Sequence, residues 1–544
     1  MASGTHPSGY HPPGPPASGR PPRFHPPGPP ASGRRGLPPE LRRALVVGLG
    51  RSGTSAARAL AAAGVEVLAV ERRQSAEEAR ELTTAGVKEV LLGVDGSAAA
   101  ELVPSVDLVV PSPGVPERSA VLHQANSEGL PIWSEPELGW RLAPRRLVAI
   151  TGTNGKTSVT ELVTAMLHAA GVDATACGNI GHPFTTAATT SPPESVLVAE
   201  LSSFQLRFAD TLRPDIGVLL NLAPDHLDWH GDFTAYAAAK AHLWQAQGKQ
   251  DWAVGNADDA AASALVRTSA PGRVAWTSSR GVPKVGVGVV EHRLVSRLEA
   301  HEGPLLPLTD LPSQAPHHIG NVAAAAAAAL LAGAEAAAVA EAARRFRPGR
   351  HRLEVVALGG GVTWVDDSKA TNPHAAAAAL RAFRGATPSV VWIAGGQSKG
   401  VDLAPLAHEL APVRHAIFIG EAAERLVEVA GTRDLTVNRA DSIEEAVTIA
   451  ARVAIPGDTV LLAPACSSFD QFRDYAERGE RFAAAARVAA RGASPGERRR
   501  SLEGGRDLGA GSAPGVASTA QAPPTIAPEF PEGTDQKKTD DGDG

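Results

Sequence analysis

The sequence predicts an α/β protein of three domains between two low-complexity tails. Short apolar runs such as Ala44–Val47, Leu147–Ile150 and Val390–Ala394 alternate with alanine-rich helical stretches. This alternation is typical of parallel sheets covered by helices on both faces. The length of 544 residues supports several domains, and 43% hydrophobic residues can form their cores. Turn signals and composition shifts predict a tail at 1–41, domains at 42–142, 143–346 and 347–490, and a tail at 491–544.

The two tails are predicted to be disordered. Residues 1–40 consist mainly of Pro, Gly, Ser and His, and the string HPPGPPASGR occurs at 11–20 and again at 25–34. The C-terminal segment is rich in Gly, Ser, Pro and Asp. Such segments have little apolar surface to bury and are therefore expected to remain extended.

Composition excludes several classes of protein. A net charge of −6 gives no general electrostatic basis for binding nucleic acid. The two cysteines, Cys177 and Cys466, are far apart, which argues against a disulfide scaffold or a zinc cluster. The apolar stretch Val322–Ala334 is too short to span a bilayer, and no signal peptide is visible. We therefore expect a cytoplasmic protein without nucleic-acid partners or membrane insertion.

The strongest signal for a nucleotide site is the segment ITGTNGKTSVTELV at 150–163. A buried-strand pattern precedes the glycine-containing loop and a helix follows it, so backbone N–H groups would face a phosphate. Lys156 would reach the β- and γ-phosphates, and the Thr157 hydroxyl would bind Mg²⁺. An ordinary strand-to-helix turn is the alternative. The loop residues expected at the nucleotide are Gly152, Thr153, Asn154, Gly155, Lys156 and Thr157.

Two further polar residues follow predicted strands of the same domain. Glu200 comes after the apolar run Ser195–Ala199, and His226 follows the strand Ile216–Asn221. Ligand sites of parallel α/β sheets gather at the carboxyl ends of strands, and these two side chains suit Mg²⁺ or Mn²⁺. Glu200 could instead be a surface carboxylate, and His226 a hydrogen-bonded loop residue.

The first domain carries a GxGxxG pattern, Gly48–Gly53, directly after a strand, with Glu71 eighteen residues beyond its last glycine. Taken alone, this pattern suggests the dinucleotide site of an NAD-dependent oxidoreductase. The pattern specifies only a tight turn and a helix start that accepts phosphate. It is therefore weak evidence for the ligand.

These motifs together resemble the Mur ligase superfamily, the ATP-dependent amide ligases of peptidoglycan precursor synthesis and their folylpolyglutamate synthase relatives. Beside GTNGKT (152–157), the matching segments follow in the family's order: GNIG (178–181), ELSSFQL (200–206), NLAPDHLDWHG (221–231), YAAAKAHL (236–243), HRLE (351–354), DDSKATNP (366–373), GGQSKG (395–400) and APACSSFDQF (463–472). ELSSFQL, DSKATNP and ACSSFDQF most resemble members that join D-glutamate to UDP-N-acetylmuramoyl-L-alanine. Lysine- or diaminopimelate-adding relatives would have His at Phe204, and folylpolyglutamate synthases usually have Gly at Thr157.

The resemblance implies a Rossmann-like first domain that binds the UDP sugar, a P-loop ATPase-like second domain and a Rossmann-like third domain closing over ATP and D-glutamate. It implies a monomer that activates the substrate carboxylate as an acyl phosphate. Lys156, His226 and Lys240 are the implied catalytic residues, with His226 a metal ligand rather than a general base. Thr157, Glu200, His226 and an N-carboxylated Lys240 would bind Mg²⁺ or Mn²⁺. A lone helical lysine is otherwise a solvated surface charge.

The resemblance also implies the remaining substrate contacts. Asn321, Arg352 and Asp367 would complete the ATP site. The implied UDP-substrate residues are Arg51, Ser52, Gly53, Glu71, Arg73, Ser112, Gly114, Asn179, Ser202 and Gln205. The implied D-glutamate residues are Lys369, Thr371, Lys399, Ser468 and Phe472. Any single Ser or Thr could instead cap a helix, and Phe472 could be core packing.

Two alternative functions remain open at this point. The chain could be another Mur ligase or a folylpolyglutamate synthase. It could also be a nucleotide-gated binding or scaffold protein built on a decayed ligase. Four of the nine lysines, however, lie in the matching motifs. A GC-rich coding sequence that favours arginine does not explain their positions.

Overall fold

The computed structural model describes residues 36–492 apart from Ala300, Ala386, Lys399 and Asp434. Lys399 and most of the two predicted tails, 1–35 and 493–544, therefore lie outside the described residues. The described chain forms three successive α/β domains, each built on its own sheet. The three-domain α/β prediction is confirmed, and the domain boundaries given above stay a prediction.

The first domain has a four-stranded parallel sheet in the order β3-β2-β1-β4. Its elements are β1 (Arg43–Val47), α1 (Arg51–Ala62), β2 (Glu66–Glu71), α2 (Glu78–Thr84), β3 (Glu89–Leu92), α3 (Gly96–Glu101), β4 (Leu108–Pro111), α4 (Ala120–Ser127) and α5 (Glu135–Leu142). The strand order reverses between β1 and β4. The turns after these two strands therefore meet at a switch point, where open α/β sheets bind ligands.

The second domain has a nine-stranded sheet in the order β13-β12-β11-β10-β9-β8-β5-β7-β6. Its elements are β5 (Arg146–Thr151), α6 (Lys156–Ala169), β6 (Ala174–Gly178), α7 (Phe184–Thr190), β7 (Val196–Glu200), α8 (Ser203–Leu206), β8 (Ile216–Leu219), α9 (Leu227–His230), α10 (Phe233–Ala241), β9 (Trp252–Asn256), α11 (Ala260–Ser269), β10 (Arg273–Thr277), β11 (Gly286–Val290), β12 (Arg293–Leu298), β13 (His301–Pro307), α12 (Pro316–Leu331) and α13 (Ala336–Arg345). The parallel prediction is wrong for one edge, where β12 pairs antiparallel with β11 and β13.

The central strands of this sheet determine where the site lies. β5 pairs in parallel with both β7 and β8, so the residues following all three strands meet at one edge. Behind the sheet, α12 carries the buried run Ala323–Ala329, whose small side chains allow close packing. Among the described helices, none combines the length and apolar character needed to cross a membrane.

The third domain has a six-stranded sheet in the order β14-β15-β19-β16-β17-β18. Its elements are β14 (Glu354–Gly359), β15 (Val362–Asp366), α14 (Pro373–Arg381), β16 (Val390–Gly395), β17 (Val413–Ile419), α15 (Ala423–Gly431), β18 (Thr436–Arg439), α16 (Ile443–Val453), β19 (Thr459–Ala465) and α17 (Tyr475–Gly492). Only the edge strand β14 is antiparallel among the described pairings. β15, β19 and β16 are neighbours, and the loops after them therefore lie side by side.

Candidate active site

Residues 152–155 join β5 to α6, and Lys156 and Thr157 are the first two residues of the helix, so the predicted order of strand, loop and helix is present. Gly155 is the N-cap of this helix and is left-handed, with φ +84°. A Cβ atom at this position would lie 2.6 Å from Oδ1 of Asn321 on α12. The loop therefore needs glycine here because the Asn321 side chain lies directly against its backbone.

Lys156 lies inside the curve of this loop. Its Nζ donates hydrogen bonds to the Gly152 and Thr153 carbonyls, both at 2.9 Å. Burial lowers the pKa of Lys156, and the charges of Glu200 and Asp225 oppose that shift. The ammonium group thus occupies a desolvated position beside the backbone that would receive phosphate.

Lys240 on α10 is only 1% exposed, so the surface-charge alternative is wrong for this residue. Its Nζ donates to the Gly152 carbonyl at 3.0 Å and to Thr151 Oγ1 at 3.3 Å. Lys156 and Lys240 therefore share one carbonyl oxygen. Burial and, next, the Lys156 charge lower the pKa of Lys240 well below its usual value, which favours a neutral amine.

Glu200 ends β7 and is 2% exposed, so it is no surface carboxylate. Asn179 Nδ2 donates to its Oε1 at 2.7 Å. The buried Oε2 has no hydrogen-bond partner among the described residues. Because an unpartnered buried carboxylate oxygen is costly, this atom is suited to a bound cation.

His226 follows β8 and adopts the left-handed conformation, with φ +53°. Its Nε2 lies 3.8 Å from Oδ2 of Asp225, and its ring meets Phe204 edge-on at 4.8 Å between centroids. About a third of the side chain is exposed, at 34%. The imidazole is therefore partly open to solvent beside the loop that carries Asp225.

Arg352 of the third domain lies on a tightly constrained turn. Its neighbours His351 and Leu353 are both left-handed, with φ +63° and +49°. His351 Nδ1 lies 2.6 Å from Asp366 Oδ2, and the Leu353 N–H donates to Asp367 at 3.2 Å. Nη2 of Arg352 is buried and finds no hydrogen-bond partner in the described part of the chain. The turn thus holds a guanidinium group ready for an anionic ligand.

Substitution of Gly479 by alanine tests this turn. Gly479 on α17 packs against the His351–Asp366 pair, and a Cβ atom would lie 2.2 Å from His351 Nδ1 and 2.7 Å from Asp366 Oδ2. We expect Gly479→Ala to lower the stability of the protein by about 1–3 kcal/mol, measured in denaturant, because overpacking forces the pair apart. Gly492→Ala on the same helix is the control, since its Cβ would meet nothing within 4 Å. Equal stability of the two variants would contradict this packing argument.

Two titratable groups follow β15 near Arg352. Burial raises the pKa of Asp367 to about 8. Burial and, next, the Arg352 charge lower the pKa of Lys369 to about 8. Lys369 Nζ also lies 4.9 Å from the centre of the Tyr475 ring. The third domain therefore presents a desolvated carboxyl group, whose neutral form is favoured, and a desolvated lysine at this edge.

The remaining predicted D-glutamate residues have different surroundings. Ser468 is buried in the loop after β19, and Thr371 is part-exposed after β15. Phe472 instead packs in the domain core, with the Arg481 guanidinium 5.1 Å from its ring centre. The ring of Phe472 thus packs as the core-packing alternative expects, and its contact with D-glutamate stays a prediction. Tyr475, outside the motif, is the aromatic residue against Lys369.

Arg478 on α17 was not singled out by the sequence, where a helical arginine indicates a surface charge. It is 0% exposed and donates to the Ser368 carbonyl at 2.9 Å and to Ser368 Oγ at 3.0 Å. It also donates to the carbonyls of Gly395, Cys466 and Ser467 at 3.2–3.4 Å. One buried guanidinium therefore ties together the loops after β15, β16 and β19.

In the first domain, the Gly48–Gly53 turn meets the turn after β4. Ser112 Oγ donates to the Gly48 carbonyl at 2.7 Å, and a Cβ on Gly53 would lie 1.9 Å from that oxygen. The Leu49 N–H donates to Glu71 at 2.8 Å. Although burial favours the neutral acid, hydrogen bonds from Arg73 and Leu49 lower the pKa of Glu71 to about 2. A Cβ on Gly114 would meet nothing within 4 Å, and Ser52 is the second residue of α1, beside this turn.

Residues of the second domain extend this surface. Arg51 donates a hydrogen bond to the Gly181 carbonyl in the GNIG segment. Ser202 and Gln205 form a capping box at the start of α8, so the hydroxyl of Ser202 acts as a helix cap. Gln205 Nε2 is buried and lacks a partner within the described ranges. It lines a small cavity together with Ser112.

Comparison with known proteins was made over the whole chain. Family models match at 42–134 (Mur ligase MurD-like, N-terminal domain), 150–329 (Mur ligase middle domain) and 351–466 (Mur ligase, glutamate ligase domain). The UDP-N-acetylmuramoylalanine--D-glutamate ligase of Frankia casuarinae is 45% identical over 453 residues, which cover 82% of this chain and 93% of that protein. The ligase of the same name from Pelotomaculum thermopropionicum is 40% identical, over 81% and 96%.

A solved structure shows the same fold at low sequence identity. The MurF ligase of Thermotoga maritima in complex with ADP superposes with a TM-score of 0.53 and 16% identity, covering 84% of this chain and 97% of that chain. The three family models match successive segments of the chain, 42–134, 150–329 and 351–466, one in each of the three α/β domains.

Proposed function

The chain belongs to the Mur ligase family, and we propose that it joins D-glutamate to UDP-N-acetylmuramoyl-L-alanine in an ATP-dependent reaction of peptidoglycan synthesis. The relatives that carry this activity in their names are 45% and 40% identical over most of the chain. The observation that carries the chemistry is that Lys156 and the buried Lys240 share the Gly152 carbonyl of the loop after β5, with the buried Glu200 at the end of β7. We also propose that the protein acts as a monomer, as the family resemblance implies. The use of ATP fits the expected cytoplasmic location.

The reaction has two steps. A carboxylate oxygen of the substrate attacks the γ-phosphorus, the bond to the β–γ bridging oxygen breaks, and ADP leaves. The D-glutamate nitrogen then attacks the acyl phosphate carbon and loses a proton, and the tetrahedral intermediate expels inorganic phosphate. Lys156 and Arg352 supply positive charge on two sides of the transferring phosphoryl group. Positioning and charge stabilisation are the main requirements of such a transfer.

The residues around Glu200 fit Mg²⁺ or Mn²⁺. Glu200 Oε2 is buried without a partner among the residues described, and carboxylate, hydroxyl and imidazole groups suit these ions. Glu200, His226, Thr157 and a modified Lys240 would hold them. Bound metal neutralises negative charge on phosphate oxygens. The protein's contribution is to present these donors at adjacent strand ends.

We propose that Lys240 is N-carboxylated. An ammonium group has no lone pair for a metal, whereas a carbamate offers anionic oxygens. Lys240 is buried beside Lys156, and among the described residues its Nζ donates to the Thr151 hydroxyl and the Gly152 carbonyl. The neutral amine attacks the carbon of CO₂, and a proton is released as the N–C bond forms. The negative charge of the carbamate would then attract the ammonium group of Lys156.

The third domain is proposed to bind D-glutamate. Lys369 and Lys399 would face its carboxylates, with Thr371 and Ser468 as hydroxyl partners. Lys369 is the described cation of this pair, and its Nζ lies against the Tyr475 ring. Phe472 stays a proposed D-glutamate residue, and Tyr475 is added as an aromatic contact of Lys369. Asp367 and Asn321 remain proposed nucleotide contacts. Two cations facing a dicarboxylate are electrostatically favourable.

The first domain is proposed to bind the UDP group rather than NAD. The Gly48–Gly53 turn and Ser112 meet at the switch point, and Arg51 extends from this turn to the second domain. A ligand here could thus reach from the first domain toward Glu200. The proposed UDP-substrate residues remain Arg51, Ser52, Gly53, Glu71, Arg73, Ser112, Gly114, Asn179, Ser202 and Gln205.

Phosphate release with a panel of amino acids tests the proposed function. With ATP, Mg²⁺ and UDP-N-acetylmuramoyl-L-alanine, we expect release to depend strictly on D-glutamate, because the third-domain site presents cations to a second carboxylate. Reactions without the UDP substrate are the control. Dependence on L-lysine, meso-diaminopimelate or folate would reject this choice within the family. Absence of amide formation with every acceptor would favour the scaffold alternative.

A further inference from the structure

A reciprocal amide pair joins the nucleotide loop to the third domain. Asn154 Nδ2 donates to Asn372 Oδ1 at 3.2 Å, and Asn372 Nδ2 donates to Asn154 Oδ1 at 3.1 Å. Asn372 is only 4% exposed and stands at the start of α14. The contact is therefore buried on its Asn372 side, and it joins two parts of the chain that are 218 residues apart.

Asn372 uses all of its hydrogen-bonding capacity at this position. Its second Nδ2 hydrogen binds Asp225 Oδ2 at 2.9 Å, and its Oδ1 also accepts from the Ala375 N–H at 2.9 Å. Two donors and two acceptor sites are the full inventory of an amide. Aspartate would lose both donors and place a carboxylate against Asp225. The four partners therefore specify asparagine here.

Asn154 is equally constrained from the second domain. Its backbone N–H donates to Asn221 Oδ1 at 2.8 Å, and Asn221 Nδ2 donates to its carbonyl at 3.0 Å. Its side-chain Nδ2 also lies 3.0 Å from His374 Nδ1. Asn221 fixes the loop backbone while Asn372 and His374 meet the side chain. Movement of the third domain would thus be transmitted directly to the nucleotide loop.

The position of this contact relates it to the reacting groups. Asn372 lies three residues after Lys369, and it binds Asp225 next to His226. We propose that Asn372 is a positioning residue whose amide pair with Asn154 sets the register of the third domain on the nucleotide loop. Lys369 and Arg352 reach the nucleotide only when this register is correct. The choice of substrates in this inference rests on the proposed function. The hydrogen bonds between Asn154 and Asn372 are observed in the structure and do not depend on it.

Asn372→Ser tests this role because serine retains an oxygen that can cap α14 but loses both donors. We expect KM for ATP and for D-glutamate to rise about 10- to 100-fold, as for the loss of two or three buried hydrogen bonds. KM for the UDP substrate should stay within about twofold, because that ligand binds elsewhere. Asn126→Ser, at an exposed asparagine on α4, should change none of these constants.

A double-mutant cycle separates register from general destabilisation. Asn154→Ser lies in the proposed ATP site and will weaken nucleotide binding itself. If the two asparagines act as a pair, the double variant should have a KM for ATP within about threefold of that of Asn154→Ser alone. The proposal would be overturned if the fold-change in KM for ATP of the double variant equalled the product of the two single fold-changes. A wild-type KM for ATP in Asn372→Ser would overturn it as well.

Two further measurements keep the test decisive. If Asn372→Ser has a lowered unfolding midpoint, Asn372→Asp takes its place, since it preserves shape and cap but faces Asp225 with a second carboxylate. A wild-type KM in that variant would also overturn the proposal. Titration calorimetry with ADP reports the same coupling without turnover. If the two substitutions weaken ADP binding independently, the positioning role of Asn372 is refuted. If their effects on ADP binding are non-additive but the protein forms no amide, only the proposed function is refuted.

Discussion

Replacement of Lys240 by arginine should reduce phosphate release to below about 0.1% of the wild-type rate, and excess bicarbonate should not restore it. Arginine keeps a positive charge but forms no carbamate under these conditions. The guanidinium would also occupy the buried space beside Thr151 and Gly152, where the lysine Nζ lies. Both effects remove the proposed anionic ligand at its position beneath the nucleotide loop.

The measurement combines steady-state turnover with detection of the modification. Wild-type protein in ¹³C-labelled bicarbonate should show a carbamate carbon signal that Lys240→Arg lacks. Lys249→Arg is the matched control, because Lys249 is exposed and lies outside the site. The unfolding midpoint of each variant distinguishes chemistry from misfolding. Near-normal turnover in a folded Lys240→Arg protein would refute the role of the carbamate.

Lys156→Met should lower kcat by about 10²- to 10³-fold, the range seen when one preorganised donor to developing charge is removed. Methionine approximates the length of the lysine side chain but carries no charge. Burial already lowers the pKa of Lys156, so the folded state disfavours its charged form. The variant should therefore fold with an undiminished unfolding midpoint, and its defect should lie in phosphoryl transfer.

Single-turnover phosphate release distinguishes this defect from weaker binding. Lys88→Met serves as the control, since Lys88 pairs with Glu66 at 2.8 Å and its side chain is 56% exposed. That surface pair contributes little to stability or activity. A Lys156→Met protein with an unchanged single-turnover rate would show that the loop lysine does not act on the transferring group.

The centre of the site could be predicted because it follows from strand order. Lys156, Glu200 and His226 each come after a predicted strand, and parallel neighbours bring such residues to one edge of the sheet. The burial of Lys240 could not be derived from its helix alone, and only the family resemblance singled it out. The local sequence pattern therefore predicted the residues at the strand ends. Lys240, which reaches the same loop from helix α10, was identified only by the family resemblance.

Other features depend on contacts that no local pattern encodes. The antiparallel strands β12 and β13 look like any other short apolar runs, because pairing direction depends on the returning chain. The path of the chain into α17 places the Tyr475 ring against Lys369 and packs Phe472 in the domain core beside Arg481. The partners of Asn372 lie far from it in sequence, at Asn154 and Asp225. Tertiary packing determines each of these outcomes.

The bonding of Arg478 has a consequence for engineering the acceptor specificity of this enzyme. Four of its five acceptors are the main-chain carbonyls of Ser368, Gly395, Cys466 and Ser467, and the fifth is the Ser368 hydroxyl. Because these hydrogen bonds are made to carbonyl oxygens, they depend little on which side chains the loops carry. Substitutions at Thr371 or Ser468 could therefore alter which amino acid is accepted while the loop backbone keeps its shape. Libraries aimed at new acceptors should vary these positions and leave Arg478 unchanged.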